Sequence, residues 1–187
     1  MSTREWNGQT IPVAGTFTLD VAHTRVGFVA KHMMVSKVRG NFEKFEGTIT
    51  VAEDPLQSSA DVTLDAASIT THVGDRDAHL RSDDFLAADK FPQITFKSLR
   101  VEDVKGDEFT LVGELTIRDV TKEVPLRVEF GGAATNPWGQ EIFGYSAETE
   151  IDREAFGLTW NQALETGGVL VSKKIKIEIE GEAVRQA

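Results

Sequence analysis

The sequence predicts an all-β protein, an antiparallel barrel of about eight strands with a short helical insertion near residues 68–92. Three observations support this fold class. Apolar and polar residues alternate along most of the chain, and turn-forming residues separate the alternating runs. The segment 68–92 interrupts the pattern, because it is polar and shows no alternation.

The alternation is clearest near the C-terminus. Ile175, Ile177 and Ile179 fall on one face, and charged residues occupy the positions between them. Shorter runs of the same kind lie at 25–31, 45–51, 94–98, 111–117 and 126–130. A period of two with an apolar inner face is typical of antiparallel strands that are solvated on one side. Turns are expected at 104–108, 118–122 and 131–139, where Gly, Asp, Asn and Pro cluster.

The insertion at 68–92 contains two possible helix starts. One short helix is expected over 74–80, and Ser82 could cap a second helix that ends before Pro92. Because such an insertion would cover an opening, a barrel fits better than a sandwich. We therefore predict an N-terminal extension at 1–14 and a single domain at 15–183.

Composition limits the classes of function. The 187 residues include 20 Lys and Arg against 30 Asp and Glu, a net charge of −10, and no Cys. Such a charge opposes binding to nucleic acid, and the missing thiols exclude disulfides, thiol catalysis and Cys-type metal sites. The N-terminus lacks the apolar region of a secretory signal, and no apolar run reaches the length of a membrane span. We expect a cytoplasmic protein with no stable membrane insertion and no nucleic-acid partner.

Polar side chains offer one weak candidate for a metal site. His72, Asp75, Asp77 and His79 could approach one another on short helical turns. Their spacing matches no established ligand motif, and the same residues serve equally well as helix caps and ion pairs. We predict no metal and no cofactor. No nucleophile elbow, phosphate-binding loop or dinucleotide fingerprint is present, so an enzyme is not expected.

The apolar residues give the positive signal. Phe occurs 11 times and Tyr once. The Phe residues are spread over nearly every predicted strand, and small residues stand on the same strands at Gly27, Ala30, Gly40, Gly47, Ala60, Gly113, Gly144 and Ala147. An eight-stranded barrel is either filled by its own side chains or holds one small ligand. Large rings beside small residues favour the cavity over the solid core.

Several motifs together resemble the YceI-like polyisoprenoid-binding family. They include Asp20-Val-Ala-His23, Val26-Gly-Phe28-Val-Ala-Lys-His32, Val38-Arg-Gly40-Asn-Phe42 and Phe45-Glu-Gly47. The most specific is Arg76-Asp77-Ala-His79-Leu80-Arg81-Ser82-Asp-Asp84-Phe85, followed by Phe91-Pro92 and Ile94-Thr-Phe96. Gly113-Glu-Leu115-Thr-Ile117-Arg-Asp-Val120-Thr121-Lys122 and Arg153-Glu-Ala-Phe156-Gly157 complete the resemblance, which runs from Gly15 to Glu180.

The resemblance implies a lipocalin-like extended barrel that binds a long-chain isoprenoid lipid, such as a polyprenyl compound or an isoprenoid quinone or its precursor. It also implies a carrier or storage role and a possible homodimer. Burial of the hydrocarbon supplies the affinity. The expected lining residues are Phe28, Phe42, Phe45, Phe85, Ile94, Phe96 and Phe156, with Leu80 and Trp160 near an opening. Arg76, Asp77 and His79 are expected either to contact a polar head group or to fix the insertion to the barrel.

Two other functions remain open at this point. The protein could be an enzyme that acts on an isoprenoid or a related apolar substrate. It could also be a stress or interaction protein whose core is filled by its own side chains.

Overall fold

A computed structural model describes residues 2–187, which fold mainly into antiparallel strands. The strands are β1 (Thr3–Trp6), β2 (Gln9–Pro12), β3 (Gly15–Leu19), β4 (Arg25–His32), β5 (Ser36–Phe42), β6 (Phe45–Val51), β7 (Ser59–Asp65), β8 (Ile69–Thr70), β9 (Gln93–Lys105), β10 (Glu108–Ile117), β11 (Val120–Thr135), β12 (Glu141–Asp152) and β13 (Lys174–Arg185). One α-helix, α1 (Gly74–Arg81), and 3-10 turns at Val21–His23, Pro55–Gln57, Ala66–Ser68 and Arg153–Phe156 complete the secondary structure of these residues.

Eight of the strands close into a barrel. Their order is β12–β11–β10–β9–β7–β6–β3–β13, and β13 pairs with β12 to complete the ring. All the pairings are antiparallel. Closure leaves no free edge along the ring. The predicted fold class, an antiparallel barrel of about eight strands with a short helical insertion, is confirmed.

On the edge opposite β12, strand β13 pairs with two different strands along its length. Its C-terminal part pairs with β3, with Ala183 opposite Leu19, and its N-terminal part pairs with β4, with Ile179 opposite Val26. Strands β4 and β5 then continue as a hairpin beyond this pairing. The barrel therefore has a "helix end", formed by α1, residues 82–92, the β4–β5 turn and residues 157–173. At the opposite "hairpin end" lie β1, β2 and the β9–β10 turn.

The alternating runs determine which side chains face the interior. Ile175, Ile177 and Ile179 pack against the main buried cluster, while Lys174 and Lys176 are exposed. The buried cluster contains Val26, Leu64, Ile94, Leu115, Ile117, Val124, Ile151, Phe156 and Leu158, among others. The face predicted to be inward from the sequence is therefore the inward face in the structure.

The insertion forms one helix rather than two. Helix α1 lies where the first helix was predicted, but residues 83–90 form consecutive turns, so the prediction of a second helix was wrong. Ala87 has a left-handed backbone, with φ of 47°, which a continuing helix does not allow. Phe85, Leu86 and Ala88 are all buried in or beside the barrel. Packing of these apolar side chains has overridden the local preference for a helix.

The N-terminal extension forms the two-stranded hairpin β1–β2, which is not part of the barrel sheet. Within residues 2–187, no helix combines the length and the apolar character needed to cross a bilayer.

Candidate ligand-binding cavity

The barrel encloses a cavity of about 390 Å³. It extends from Trp6 and Ile11 of the hairpin end to Leu80, Leu86 and Leu158 of the helix end. The lining is almost entirely aliphatic and aromatic, and its charged members are Asp107 and Arg153. A volume of this size lies within the range of about 300–1,000 Å³ that is usual for small-molecule sites.

The strand pattern explains why the wall is apolar. Alternate residues in the N-terminal half of β13 face the cavity, which places Ile175, Ile177 and Ile179 on the wall. Val128 and Ala147 contribute in the same way from β11 and β12. Because successive side chains of a strand point to opposite faces, the polar residues between them lie on the outside of the barrel.

Two phenylalanine rings contact glycines of the neighbouring strand. A Cβ atom placed on Gly40 would stand 2.7 Å from Cε1 of Phe28 and 2.8 Å from the carbonyl oxygen of Thr70. On Gly113, a Cβ would stand 2.7 Å from Cε2 of Phe96. These glycines therefore do not contribute empty space themselves, because a ring covers each one. They allow both rings to lie along the wall, so that the centre of the barrel stays open.

Asp77 fixes α1 to the barrel. Its carboxylate accepts hydrogen bonds from the main-chain N–H of Thr71 at 2.7 Å and from the Thr71 hydroxyl at 2.6 Å, and a longer one from Thr70 at 3.3 Å. Burial by itself would raise the pKa of Asp77, but the hydrogen bonds from Thr71 and Thr70 outweigh it and hold the pKa below its usual value. Arg76 donates to the hydroxyl and the carbonyl oxygen of the same Thr71, at 2.7 and 3.0 Å.

His79 lies on the same helix and makes different contacts. Its Nε2 atom is 2.8 Å from Oδ2 of Asp84, and its ring packs edge-on against Phe85 and Trp160, with centroids 5.0 and 4.6 Å apart. The three aromatic residues form a layer at the helix end. Phe85 is the member of this layer that lines the cavity.

Arg153 closes the helix end from the other side. It is 3% exposed, and its guanidinium donates to the carbonyl oxygens of Leu158, Trp160 and Ser172 at 2.7, 2.9 and 2.8 Å, with a longer bond to Val171. Burial lowers the pKa of Arg153. The side chain ties residues 158–172 to the 3-10 turn at the end of β12 and places one cation at the cavity wall.

The hairpin β1–β2 covers the opposite end. Arg4 donates to the carbonyl oxygens of Ala52 and Glu53, which anchors the hairpin to the end of β6. Trp6 and Ile11 then face the cavity. The sequence had indicated only an extension here, although Asn7-Gly8 is a signal of a hairpin turn.

Tyr145 is the phenol on the cavity wall. Burial raises its pKa to about 12, and a hydrogen bond to Thr24 opposes this effect. The group therefore stays neutral at physiological pH.

The residues predicted to contact a ligand occupy three kinds of position. Those on the cavity wall are Phe28, Phe42, Leu80, Phe85, Ile94 and Phe96. Those packed in the surrounding core are Phe45, Phe156 and Trp160. Arg76, Asp77 and His79 make the polar contacts of α1 described above. The sequence did not single out Arg153, Tyr145 or the three isoleucines of β13 as site residues, although it did place the isoleucines on an inward face.

His72, Asp75 and His79 do not form a metal-ligand group. Within residues 2–187, the group of three potential ligand residues whose ligand atoms all lie within 4.8 Å of one another consists of Asp20, His23 and Glu182. His23 Nδ1 and Asp20 Oδ2 are 2.8 Å apart, and this hydrogen bond raises the pKa of His23.

Comparison with known proteins agrees with this architecture. The model of the YceI-like domain matches residues 17–183. The chain belongs to the YceI-like family. A UPF0312 protein of Staphylococcus aureus is 40% identical over 168 residues, which cover 89% of this chain and 95% of the relative.

Solved structures share the fold. A YceI protein from Campylobacter jejuni is 33% identical, with a TM-score of 0.73, and the match covers 84% of this chain and 90% of that one. A structure described as a polyisoprenoid-binding domain from Saccharophagus degradans is 13% identical, with a TM-score of 0.64 and coverage of 93% and 100%. At that identity, the second likeness concerns the fold alone.

Proposed function

We propose that this protein binds one long-chain isoprenoid lipid in the barrel cavity and serves as its carrier or store. The observation that carries the proposal is the apolar cavity of about 390 Å³, which the protein's own side chains leave open. A solved structure described as a polyisoprenoid-binding domain has the same fold, which supports the same class of ligand. An open cavity also argues against a protein whose core is simply filled.

Hydrocarbon burial accounts for the affinity. Each CH₂ group removed from water contributes about 0.8 kcal/mol, so a few isoprene units offset the cost of association. The Phe28 and Phe96 rings and the isoleucines of β13 form a wall with little polar surface for a tail to cover. Branched isoprenoid methyl groups suit such a wall, because it offers dispersion contacts on all sides.

A polar head group would lie at the helix end in this proposal. Arg76, Asp77 and His79 are there, and Arg153 adds a cation at the wall. All four side chains already have protein partners. The expected ligand is therefore a neutral or weakly polar head group, such as a quinone or an alcohol, rather than one that needs a free cluster of cations.

The first test is direct. Freshly purified full-length protein is extracted into organic solvent, and the extract is analysed by mass spectrometry. Protein stripped of lipid is then offered a long-chain polyprenol, an isoprenoid quinone and a fatty acid of similar length, with uptake measured by native mass spectrometry. Bound or readily acquired isoprenoid supports the proposal. A clean extract together with failure to take up either isoprenoid contradicts it.

A pair of variants on one strand makes the test specific to the cavity. Ala147 lines the cavity, whereas its neighbour Glu148 is exposed. Ala147→Phe is expected to fill part of the cavity and lower uptake at least about tenfold, since it removes contacts worth more than about 1.4 kcal/mol. Glu148→Phe adds the same ring outside the barrel and is expected to leave uptake unchanged. Equal effects from the two variants would contradict an internal site.

The role of the α1 residues is tested separately. His79→Ala is expected to lower the amount of bound isoprenoid if the imidazole contacts the head group. If ligand content is unchanged and only the melting temperature falls, His79 fixes the insertion to the barrel and the head group lies elsewhere.

A further inference from the structure

Three large apolar side chains are exposed at the end of the β4–β5 hairpin. Met33, Met34 and Val35, here called the apolar tip, are 45, 60 and 88% exposed. A turn bond from the N–H of Val35 to the carbonyl oxygen of His32, at 3.1 Å, holds the tip in place. Single exposed apolar residues are common on protein surfaces, but three consecutive ones at a projecting turn are not.

The backbone of the apolar tip does not favour these residues. Met33 and Met34 both have left-handed φ values, 53° and 63°. Glycine and asparagine are preferred at such positions because a Cβ atom crowds the backbone there. The turn geometry therefore does not explain why two methionines stand at these positions. Their exposure to water does not explain it either, because apolar side chains gain nothing from solvation.

Unpaired positive charge lies directly beside the apolar tip. Lys31 and Lys37 are opposite each other in the β4–β5 ladder, and Arg39 shares their face. Arg39 lies 3.9 Å from Glu178, but no carboxylate of residues 2–187 is within ion-pair distance of Lys31 or Lys37. Like charges directly opposite each other on a sheet are destabilising. This pair stands out in a chain whose net charge is −10.

The apolar tip adjoins one end of the cavity. The N–H of Met33 donates to the carbonyl oxygen of Leu170 at 2.8 Å, and His32 forms a bridge with Val171. Val171 and Ala30 both line the cavity. A surface that contacted the tip would therefore lie next to the helix end of the cavity.

The hairpin end has a different character. Trp138 is 81% exposed there, in the β11–β12 turn. The charged residues of that end include Glu53, Asp54, Asp103 and Asp107, together with Lys105 at the end of β9. An exposed apolar residue is thus present at both ends, but acidic residues outnumber Lys105 at the hairpin end, whereas two lysines face each other beside the apolar tip.

We propose that the apolar tip, together with Lys31 and Lys37, is a docking surface for an anionic lipid bilayer. Met33, Met34 and Val35 would enter the boundary between head groups and acyl chains. The two lysines would contact lipid phosphates, with their methylene stems along the apolar residues. Docking would place the helix end of the cavity against the membrane, where an isoprenoid could pass between bilayer and barrel. Contact of this kind is peripheral, and the chain would not cross the membrane.

The test is sedimentation of the full-length protein with vesicles that contain no isoprenoid. Binding is expected to vesicles of phosphatidylcholine with about 30 mol % phosphatidylglycerol and to be much weaker to phosphatidylcholine alone, because each lysine near an anionic surface is worth about fivefold in affinity. High salt is expected to release the protein. Equal binding to the two kinds of vesicle, or none to either, would overturn the proposal.

Two variants separate docking from folding. Met33→Asn combined with Met34→Gly supplies the residues that this turn prefers, so the hairpin should be at least as stable and yet lose vesicle binding. Lys31→Glu with Lys37→Glu should lower the affinity by about 25-fold or more. Trp138→Ala is the matched control and should bind vesicles like the wild type. A wild-type affinity in either tip variant, or a loss caused by Trp138→Ala, would show that the tip is not the docking surface.

The experiments must also distinguish a membrane from a second copy of the chain as the partner of the apolar tip. If sedimentation velocity shows a dimer that becomes monomeric in the Met33→Asn/Met34→Gly variant, the tip is a contact between copies and the proposal is wrong. Isoprenoid uptake by the same proteins is measured separately. Vesicle binding without any isoprenoid uptake would contradict the proposed function and leave the docking surface intact.

Discussion

The guanidinium carbon of Arg153 lies 5.9 Å from the centre of the Phe85 ring, so that a buried cation rests against an aromatic residue of the cavity wall. The four hydrogen bonds of Arg153 go to main-chain carbonyl oxygens and not to carboxylates. Carbonyl dipoles and an aromatic face therefore compensate the charge, and the same bonds hold residues 158–172 across the helix end.

Removing this side chain is expected to destabilise the protein strongly. Arg153→Met keeps much of the apolar stem but leaves buried carbonyl groups without a donor. We expect a loss of free energy of unfolding on the order of 3 kcal/mol, measured by urea denaturation. Arg100→Met is the control, because the ion pairs of Arg100 with Glu102 and Glu123 are exposed and should be worth less than about 1 kcal/mol each. Similar losses in the two variants would contradict this account of Arg153.

The contact between Phe96 and Gly113 makes a second prediction. Gly113→Ala would place a methyl group against the Phe96 ring and 2.8 Å from the carbonyl oxygen of Lys97, which cannot move freely. The ring is expected to turn into the cavity, lowering isoprenoid uptake in native mass spectrometry and costing about 1–3 kcal/mol of stability. Gly74→Ala, where a Cβ meets no atom within 4 Å, is the control and should leave both quantities unchanged or slightly improve stability. Normal uptake by Gly113→Ala would show that the ring does not border the ligand.

The sequence predicted those features that depend on local periodicity. Strand β13 shows why: a strict alternation of isoleucine with charged residues fixes both the strand and its inward face. Helix α1 was predicted because it starts in a polar segment that has no such alternation. The resemblance to the YceI-like family added the overall architecture, which the structure confirms.

Features that depend on contacts distant in sequence could not be predicted. The rings of Phe28 and Phe96 cover glycines of neighbouring strands, and this requires a register that the sequence does not reveal. Arg153 bonds to carbonyl groups, which every residue possesses, so no motif marks its partners. Residues 82–90 have helix-forming composition, but burial of Phe85 and Leu86 decides their conformation.

The carboxylate of Asp77 predicts a dependence of stability on pH. The pKa of Asp77 is lower in the folded protein than its ordinary value of 3.8. The carboxylate therefore contributes fully to stability above pH 3.8, and this contribution is lost as the pH falls through the pKa of the folded state. Asp77→Asn is expected to cost about 1.5–3 kcal/mol near neutral pH, as for hydrogen bonds to a charged group. The difference from the wild type should shrink in urea denaturation below about pH 4.

Asp75 provides the control on the same helix. It is exposed in the first turn of α1, where a carboxylate favours the helix by only about 0.3–1 kcal/mol. Asp75→Asn should therefore have a small effect near neutral pH. A difference between wild type and Asp77→Asn that persists undiminished at acid pH would show that the charge of Asp77 does not contribute to stability.

The position of Trp6 on the cavity wall predicts that the hairpin end slows the dissociation of a bound ligand. The hairpin β1–β2 lies outside the residues matched by the YceI-like domain model, yet Trp6 and Ile11 complete the cavity wall. Trp6→Ala is expected to speed dissociation of a bound polyprenol about tenfold, because an apolar contact worth about 1.4 kcal/mol is lost and that end is opened to water.

The measurement is transfer of the polyprenol from loaded protein to excess acceptor vesicles, followed over time by mass spectrometry. Trp138→Ala is the control at the same end, since Trp138 is exposed and does not line the cavity. Arg4→Ala, which removes the anchor of the hairpin to Ala52 and Glu53, should act in the same direction as Trp6→Ala. If neither Trp6→Ala nor Arg4→Ala changes the rate, while Ala147→Phe still blocks uptake, the ligand occupies only the helix half of the cavity and the hairpin has no part in retaining it.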